Sequence, residues 1–143
     1  MSSVKFNPFS FVMKASTASR KISYVVKQNV HLFTFPILHD IQHLILNTIE
    51  ELELMLRHDN VRVKDHVRLG TPELPEELTF DMLFKRLENS VHVLSVLIDA
   101  DKLKQGPEIN EDERNVITNG KKMVIELLKK IVLLIPEGGI PYI

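Results

Sequence analysis

The chain has 143 residues, 44% of them hydrophobic and 26% charged, with a formal net charge of −1 and no cysteine. That length supports one domain, residues 1–143, with a sizeable core, and the missing thiols exclude disulfides, thiolate metal sites and cysteine nucleophiles. The longest uninterrupted apolar run, Ile131 to Ile135, falls far short of the roughly 20 residues that span a bilayer.

The N-terminus lacks the compact apolar stretch of a secretory signal, and the reading is of a cytoplasmic protein. The near-neutral total hides an asymmetry. Residues 1–39 carry Lys5, Lys14, Arg20, Lys21 and Lys27 and no acid, a charge of +5, while the remainder carries −6. An acid-free, amphipathic, Ser-containing N-terminus is also the composition of an organelle presequence, which stands as the alternative to an arm that meets acidic surface.

In chain order, Asn7 and Pro8 supply an N-cap and first position for a helix over about 8–30. Phe11, Ala15, Ala18, Ile22, Val25 and Val26 share its apolar face, with Arg20, Lys21 and Lys27 off it. Ser16, Thr17 and Ser19 are poor helix formers. Arg20-Lys21-Ile22-Ser23 has the form of a kinase site, yet Ser23 reads as a solvated helix position. Thr34-Phe35-Pro36 punctuates the chain and opens a second helix over about 35–57. Its face is Ile37, Ile41, Leu44, Ile45, Ile49, Leu52, Met55 and Leu56, with Glu50, Glu51 and Glu53 expected toward water.

Residues 58–79 break the periodicity and predict an irregular connection packed on the helices through Val61, Val63, Val67 and Leu69. A third helix follows over about 76–104, with Phe80, Leu83, Phe84, Leu87, Val91, Leu94 and Ile98 on one face and Gly106-Pro107 as its stop.

The fourth helix, about 110–135, is the best specified. Asn110 is a good N-cap, Glu113 completes a capping-box spacing, and Glu111, Asp112 and Glu113 suit the positive end of the helix dipole. Val116, Ile117, Met123, Val124, Leu127, Leu128, Ile131, Leu134 and Ile135 recur at helical steps before Pro136. Gly120 falls inside this stripe, where it costs about 1 kcal/mol relative to alanine; close approach of a neighbouring helix is the expected compensation. Together these features predict an all-α fold, an antiparallel four-helix bundle in up-down-up-down order.

The six histidines invite a metal or acid–base reading. His39 and His43 are four apart on the second helix, with Glu50 two turns on. This single spacing resembles that of hemerythrin-like proteins, whose further paired histidines are lacking here. The inward positions belong to Ile41, Leu44, Ile45 and Ile49, which leaves His39, His43 and Glu50 on the wet side. Glu88 and His92 form a comparable surface pair. Arg86 and His92 have the arginine-then-histidine spacing that resembles helical ribonucleases of the HEPN type, in which the two side chains converge on a phosphodiester. Leu87 stands where that family usually has a polar residue. No nucleophile elbow, phosphate-cradling loop or inward pair of carboxylates is evident. The sequence assigns no catalytic, cofactor-binding or metal-ligating residue.

Several apolar residues fall off the main faces: Leu46 and Leu54 on the second helix, Met82, Val93 and Val96 on the third, Ile125, Val132 and Leu133 on the fourth. On three helices at once they predict a second apolar surface, of the kind that marks an interface. The functional expectation is a non-enzymatic interaction or assembly module that buries this surface against a protein partner or another copy. Arg20, Lys21 and Lys27 would set orientation by charge. The alternative is a nucleic-acid-associated subunit, viral-coat or nucleoprotein-like, using the basic first helix with Lys121, Lys122, Lys129 and Lys130. Rod-shaped plant-virus coats share the bundle architecture, an analogy of fold alone.

Overall fold

The computed structural model describes residues 14–58, 60–62, 79–103 and 108–136. Among them are four α-helices: α1 Ala15–Asn29, α2 Phe35–Leu56, α3 Phe80–Leu103 and α4 Glu111–Leu134, with a single 3-10 turn, Val30–Leu32, between the first two. No strand occurs among the described residues. The expected cap at Asn7-Pro8, the apolar Phe11, most of the 58–79 interval and the C-terminal tail lie outside them.

Local chemistry accounts for the elements. Ser16 and Ser19 do not prevent α1; the Ser19 hydroxyl donates back to the Ser16 carbonyl at 2.9 Å. α2 opens with Pro36 in its first turn, where a missing N–H costs nothing. α4 carries the full capping box. The Asn110 side chain accepts the Glu113 N–H at 2.8 Å, and the Glu113 carboxylate accepts the Asn110 N–H at 3.2 Å.

Long-range contacts fix the directions. Lys27 near the end of α1 pairs with Asp81 at the start of α3, and Lys14 and Ala15 share a cleft with Ile98 and Asp99, so α1 and α3 are antiparallel. Asp101 pairs with Arg114, and Leu94 abuts Gly120, so α3 and α4 are antiparallel. Asn60, just past α2, bonds Asp112, and Leu52 also abuts Gly120, so α4 runs against α2 as well. α2 and α3 therefore point the same general way, and strict up-down-up-down order is not what these contacts trace. That expectation assumed mostly short connections. The interval from Leu56 to Phe80 is long enough to return the chain along a helix of about 36 Å. α3 and α4 each pack against the other three helices, whereas α1 and α2 share no comparable seam.

The core is continuous and aliphatic. Ile22, Ile41, Ile45, Ile49, Leu52, Leu83, Leu87, Leu94, Leu127 and Leu128 are fully buried, and Val61 joins them from beyond α2. Each such side chain contributes roughly 1.5–3 kcal/mol. Three of the off-face residues belong here too: Leu46, Val93 and Val132 are buried. A helix with neighbours on several sides buries more than one stripe, so the continuous second apolar surface expected from these positions does not exist.

Gly120 is the waist of the fold. A Cβ there would stand 3.0 Å and 3.1 Å from the Leu94 methyls and 3.2 Å from a Leu52 methyl. The predicted close approach is present, with α2 and α3 both meeting α4 at this point. Replacing Gly120 with Leu is expected to destabilise by about 1–3 kcal/mol through overpacking, read as a lowered urea midpoint with little change in slope.

Candidate functional site

Two carboxylates are buried, one of which, Glu53, the helical pattern placed toward water. Glu53 and Glu113 are each 1% exposed. A buried charge is tolerated only when paired and hydrogen-bonded, and each has an arginine from a distant part of the chain. Arg86 of α3 holds Glu53 in a bidentate grip, Nε to Oε1 at 2.9 Å and Nη2 to Oε2 at 2.7 Å. Arg57 adds a longer contact of 3.7 Å. The Arg86 pKa is raised, first by the Glu53 hydrogen bonds and then, against the opposing effect of burial, by the Glu53 and Glu50 charges.

Arg62 grips Glu113 with Nε and Nη2 at 3.1 and 2.6 Å, and its backbone N–H adds a bond at 3.1 Å. The same corner holds Asn110 Nδ2 on the Asn60 carbonyl and Asn60 Nδ2 on Asp112, both at 2.6 Å. Burial pushes the Glu113 carboxyl up. The Arg62 side chain, the Asn110 and Arg62 backbone N–H groups and the Arg62 charge outweigh this and hold its pKa below the ordinary value. Among the described residues, no buried side-chain nitrogen or oxygen lacks a hydrogen-bond partner. The chemistry of these pairs is that of clamps: both oxygens of each carboxylate accept from an arginine of a distant segment.

This arrangement separates Arg86 from His92. Arg86 turns toward Glu53 and α2, whereas His92 lines a cleft between α1 and α3 with Ser16, Ser19, Arg20, Glu88, Asn89 and Ser95. The two side chains do not converge as the ribonuclease-like spacing requires. The cleft, about 360 Å³, continues at Ser16 and Ser95 into a smaller one of about 210 Å³ that adds Lys14, Asp99 and Lys121. Its charges are mixed in sign. Lys129 likewise lies 3.4 Å from Glu126, so the lysines of α4 and the basic residues of α1 are interleaved with acids.

His39 and His43 stand on the exposed side of α2, with ring centres 4.2 Å apart. Glu50 is not with them. No group of three His, Cys, Asp or Glu side chains positioned to hold a metal occurs among the described residues.

The remaining sequence-derived interface residues divide. Val96 and Ile125 are half-buried, Ile125 against the core. Leu54, Met82 and Leu133 are exposed, at 73%, 46% and 69%. Two further exposed apolar residues were not singled out by the periodicity: Val30 and Phe35, 45% and 79% exposed. The α1–α3 and α3–α4 directions bring the end of α1, the start of α2, the start of α3 and the end of α4 to one end of the bundle. There Val26, Lys27, Val30, Thr79, Phe80, Asp81 and Phe84 line a shallow apolar cleft of about 170 Å³. Phe80 and Phe84 stack at 5.7 Å, and the Lys27 ammonium lies over the Phe84 ring at 5.6 Å. Val30 lines this cleft, whereas Phe35, Met82 and Leu133 do not.

No family model matches the chain, and neither a curated protein nor a solved structure matches it. No helix among the described residues is long and apolar enough to cross a membrane.

Changing Arg86 to Met removes the bidentate partner of the buried Glu53 carboxylate. Unfolding by urea is expected to show a loss of about 3 kcal/mol, most of it recovered when Glu53→Leu is combined with it. For Glu113, a lowered folded pKa means that the unfolded chain binds more protons in acid. The stability it provides is complete above the ordinary carboxylate range and is lost as pH falls through the folded value. Glu113→Gln is expected to be less stable at neutral pH and to lose less stability than the parent between about pH 5 and pH 3.

Proposed function

We propose that the chain is a non-catalytic assembly module that docks a second copy of itself through the apolar end of the bundle. The observation that carries this reading is the shallow apolar cleft of Val26, Val30, Phe80 and Phe84, at the end of the bundle to which the helix directions also bring the exposed Phe35, Met82 and Leu133. Exposed apolar residues scattered singly mean little; gathered at one end of a bundle they favour burial against another surface. A second copy is favoured by charge. Lys27 and Asp81 face solvent on the same rim, 59% and 86% exposed, so a two-fold-related copy meets cation with anion and anion with cation. The orienting role expected of the basic α1 thus falls to Lys27, with Arg20 and Lys21 farther from the patch.

The buried arginine–carboxylate pairs favour a structural reading over an enzymatic one, since their donors and acceptors are consumed by each other. The nucleic-acid reading has less support. It requires an uninterrupted basic surface, and here Glu88, Asp99 and Glu126 sit among the lysines and Arg20.

Sedimentation velocity over a hundredfold concentration range tests the proposal. A reversible dimer is expected, retained at 0.5 M salt because burial of apolar surface drives it. Phe35→Asp with Met82→Asp should give a monomer whose thermal midpoint is not lowered, as both side chains are exposed. A parent protein that stays monomeric throughout would overturn the reading.

A further inference from the structure

We infer that His39 and His43 form a surface chelate for a borderline divalent metal ion of the zinc, copper or nickel class. The two residues are one helical turn apart on α2, so their Cβ atoms are about 5–6 Å apart and their side chains rise from one face. Their imidazoles already lie together, centres 4.2 Å apart and planes at 41°. Zinc–imidazole bonds of about 2.0–2.1 Å place each ring centre roughly 3.2 Å from the ion, so two rings on a tetrahedral ion stand about 5 Å apart. Opening the observed pair by less than about 1 Å reaches that geometry. The rotation involves exposed side chains on a backbone already held as helix, so the site is largely preorganised.

Asp40 supplies an orienting group. Its Oδ1 lies 4.0 Å from Nδ1 of His39, both side chains being more than half exposed. A carboxylate beside Nδ1 favours the tautomer that carries its proton there and leaves Nε2 free to ligate. Asp40 therefore acts as a positioning residue outside the coordination sphere. Among the described residues the pair has no third ligand beside it, since no set of three candidate ligands occurs there. Such a site keeps open positions, filled by water or by a donor from another molecule. Imidazole nitrogen selects zinc, copper and nickel over magnesium and calcium, which prefer all-oxygen shells. The chelate is independent of the dimer reading, because both ligands come from one turn of one helix.

The test is a titration of the intact chain with Cu²⁺ and Zn²⁺ against a chromophoric competitor, at a protein concentration where the chain is a single species. One ion per chain is expected, with His39→Ala and His43→Ala each weakening it at least tenfold, and His58→Ala and His92→Ala leaving it within twofold. Asp40→Asn should weaken binding by a smaller factor, about two- to fivefold. The electron paramagnetic resonance spectrum of the Cu²⁺ form should show two nitrogen ligands, falling to one in either alanine variant. A parent chain that binds no better than His39→Ala, or a loss of binding that follows His58 or His92 instead, overturns the proposal. Circular dichroism of the variants should match the parent, since neither histidine is in the core.

Discussion

A carboxylate cannot be left alone in a hydrocarbon interior, and that constraint organises this bundle. Its aliphatic core is permissive: Leu, Ile and Val on one helix tolerate many alignments with Leu, Ile and Val on the next. Glu53 and Glu113 do not. Sliding α3 by one turn against α2 would withdraw Arg86 from Glu53 and strand a charge in the core, and a shift of the chain beyond α2 would withdraw Arg62 from Glu113. Replacing such pairs with apolar residues is often no loss in stability. What they add is register, and they hold together pieces distant in sequence: Glu53 with Arg86, and the capping box of α4 with the exit from α2.

What the residue pattern discloses follows from this. Helix faces, the Asn110–Glu113 capping box and the crowding at Gly120 are local or periodic properties, and each could be read along the chain. Leu46, Val93 and Val132 could not. A 3.6-residue period locates the centre of a buried face but not its width, and width depends on how many neighbours a helix has. Glu53 was misread, and the burial of Glu113 went unseen, for a related reason. A glutamate at the edge of an apolar stripe resembles a solvated one until its arginine is known, and nothing local identifies Arg86 or Arg62 as that partner. The same holds for the direction of α3, which depends on a connection whose length is visible but whose course is not.

The proposed docking surface has the same character. Its cleft is lined from the end of α1 and the start of α3, so neither helix alone advertises it. Val30 is ordinary in sequence, and its place beside Phe80 and Phe84 gives it significance. His39 and His43 follow Phe35 at successive four-residue steps on α2, so this one helix leads from the apolar end to the histidine pair. The polar cleft between α1 and α3 contrasts with both, as its charges are mixed and the Ser19 and Ser95 hydroxyls donate to the Ser16 and Val91 carbonyls of their own helices.

Gly120 carries a consequence for how the chain folds. α4 has the best start signal of the four helices, yet its middle lacks the side chain that would favour helix in isolation. Its full order therefore depends on Leu94 and Leu52 closing over that gap. A seed weakened at its midpoint cannot run ahead of its neighbours, so the ordering of α4 is tied to the docking of α2 and α3, and the bundle gains cooperativity from the residue that contributes least to any one helix.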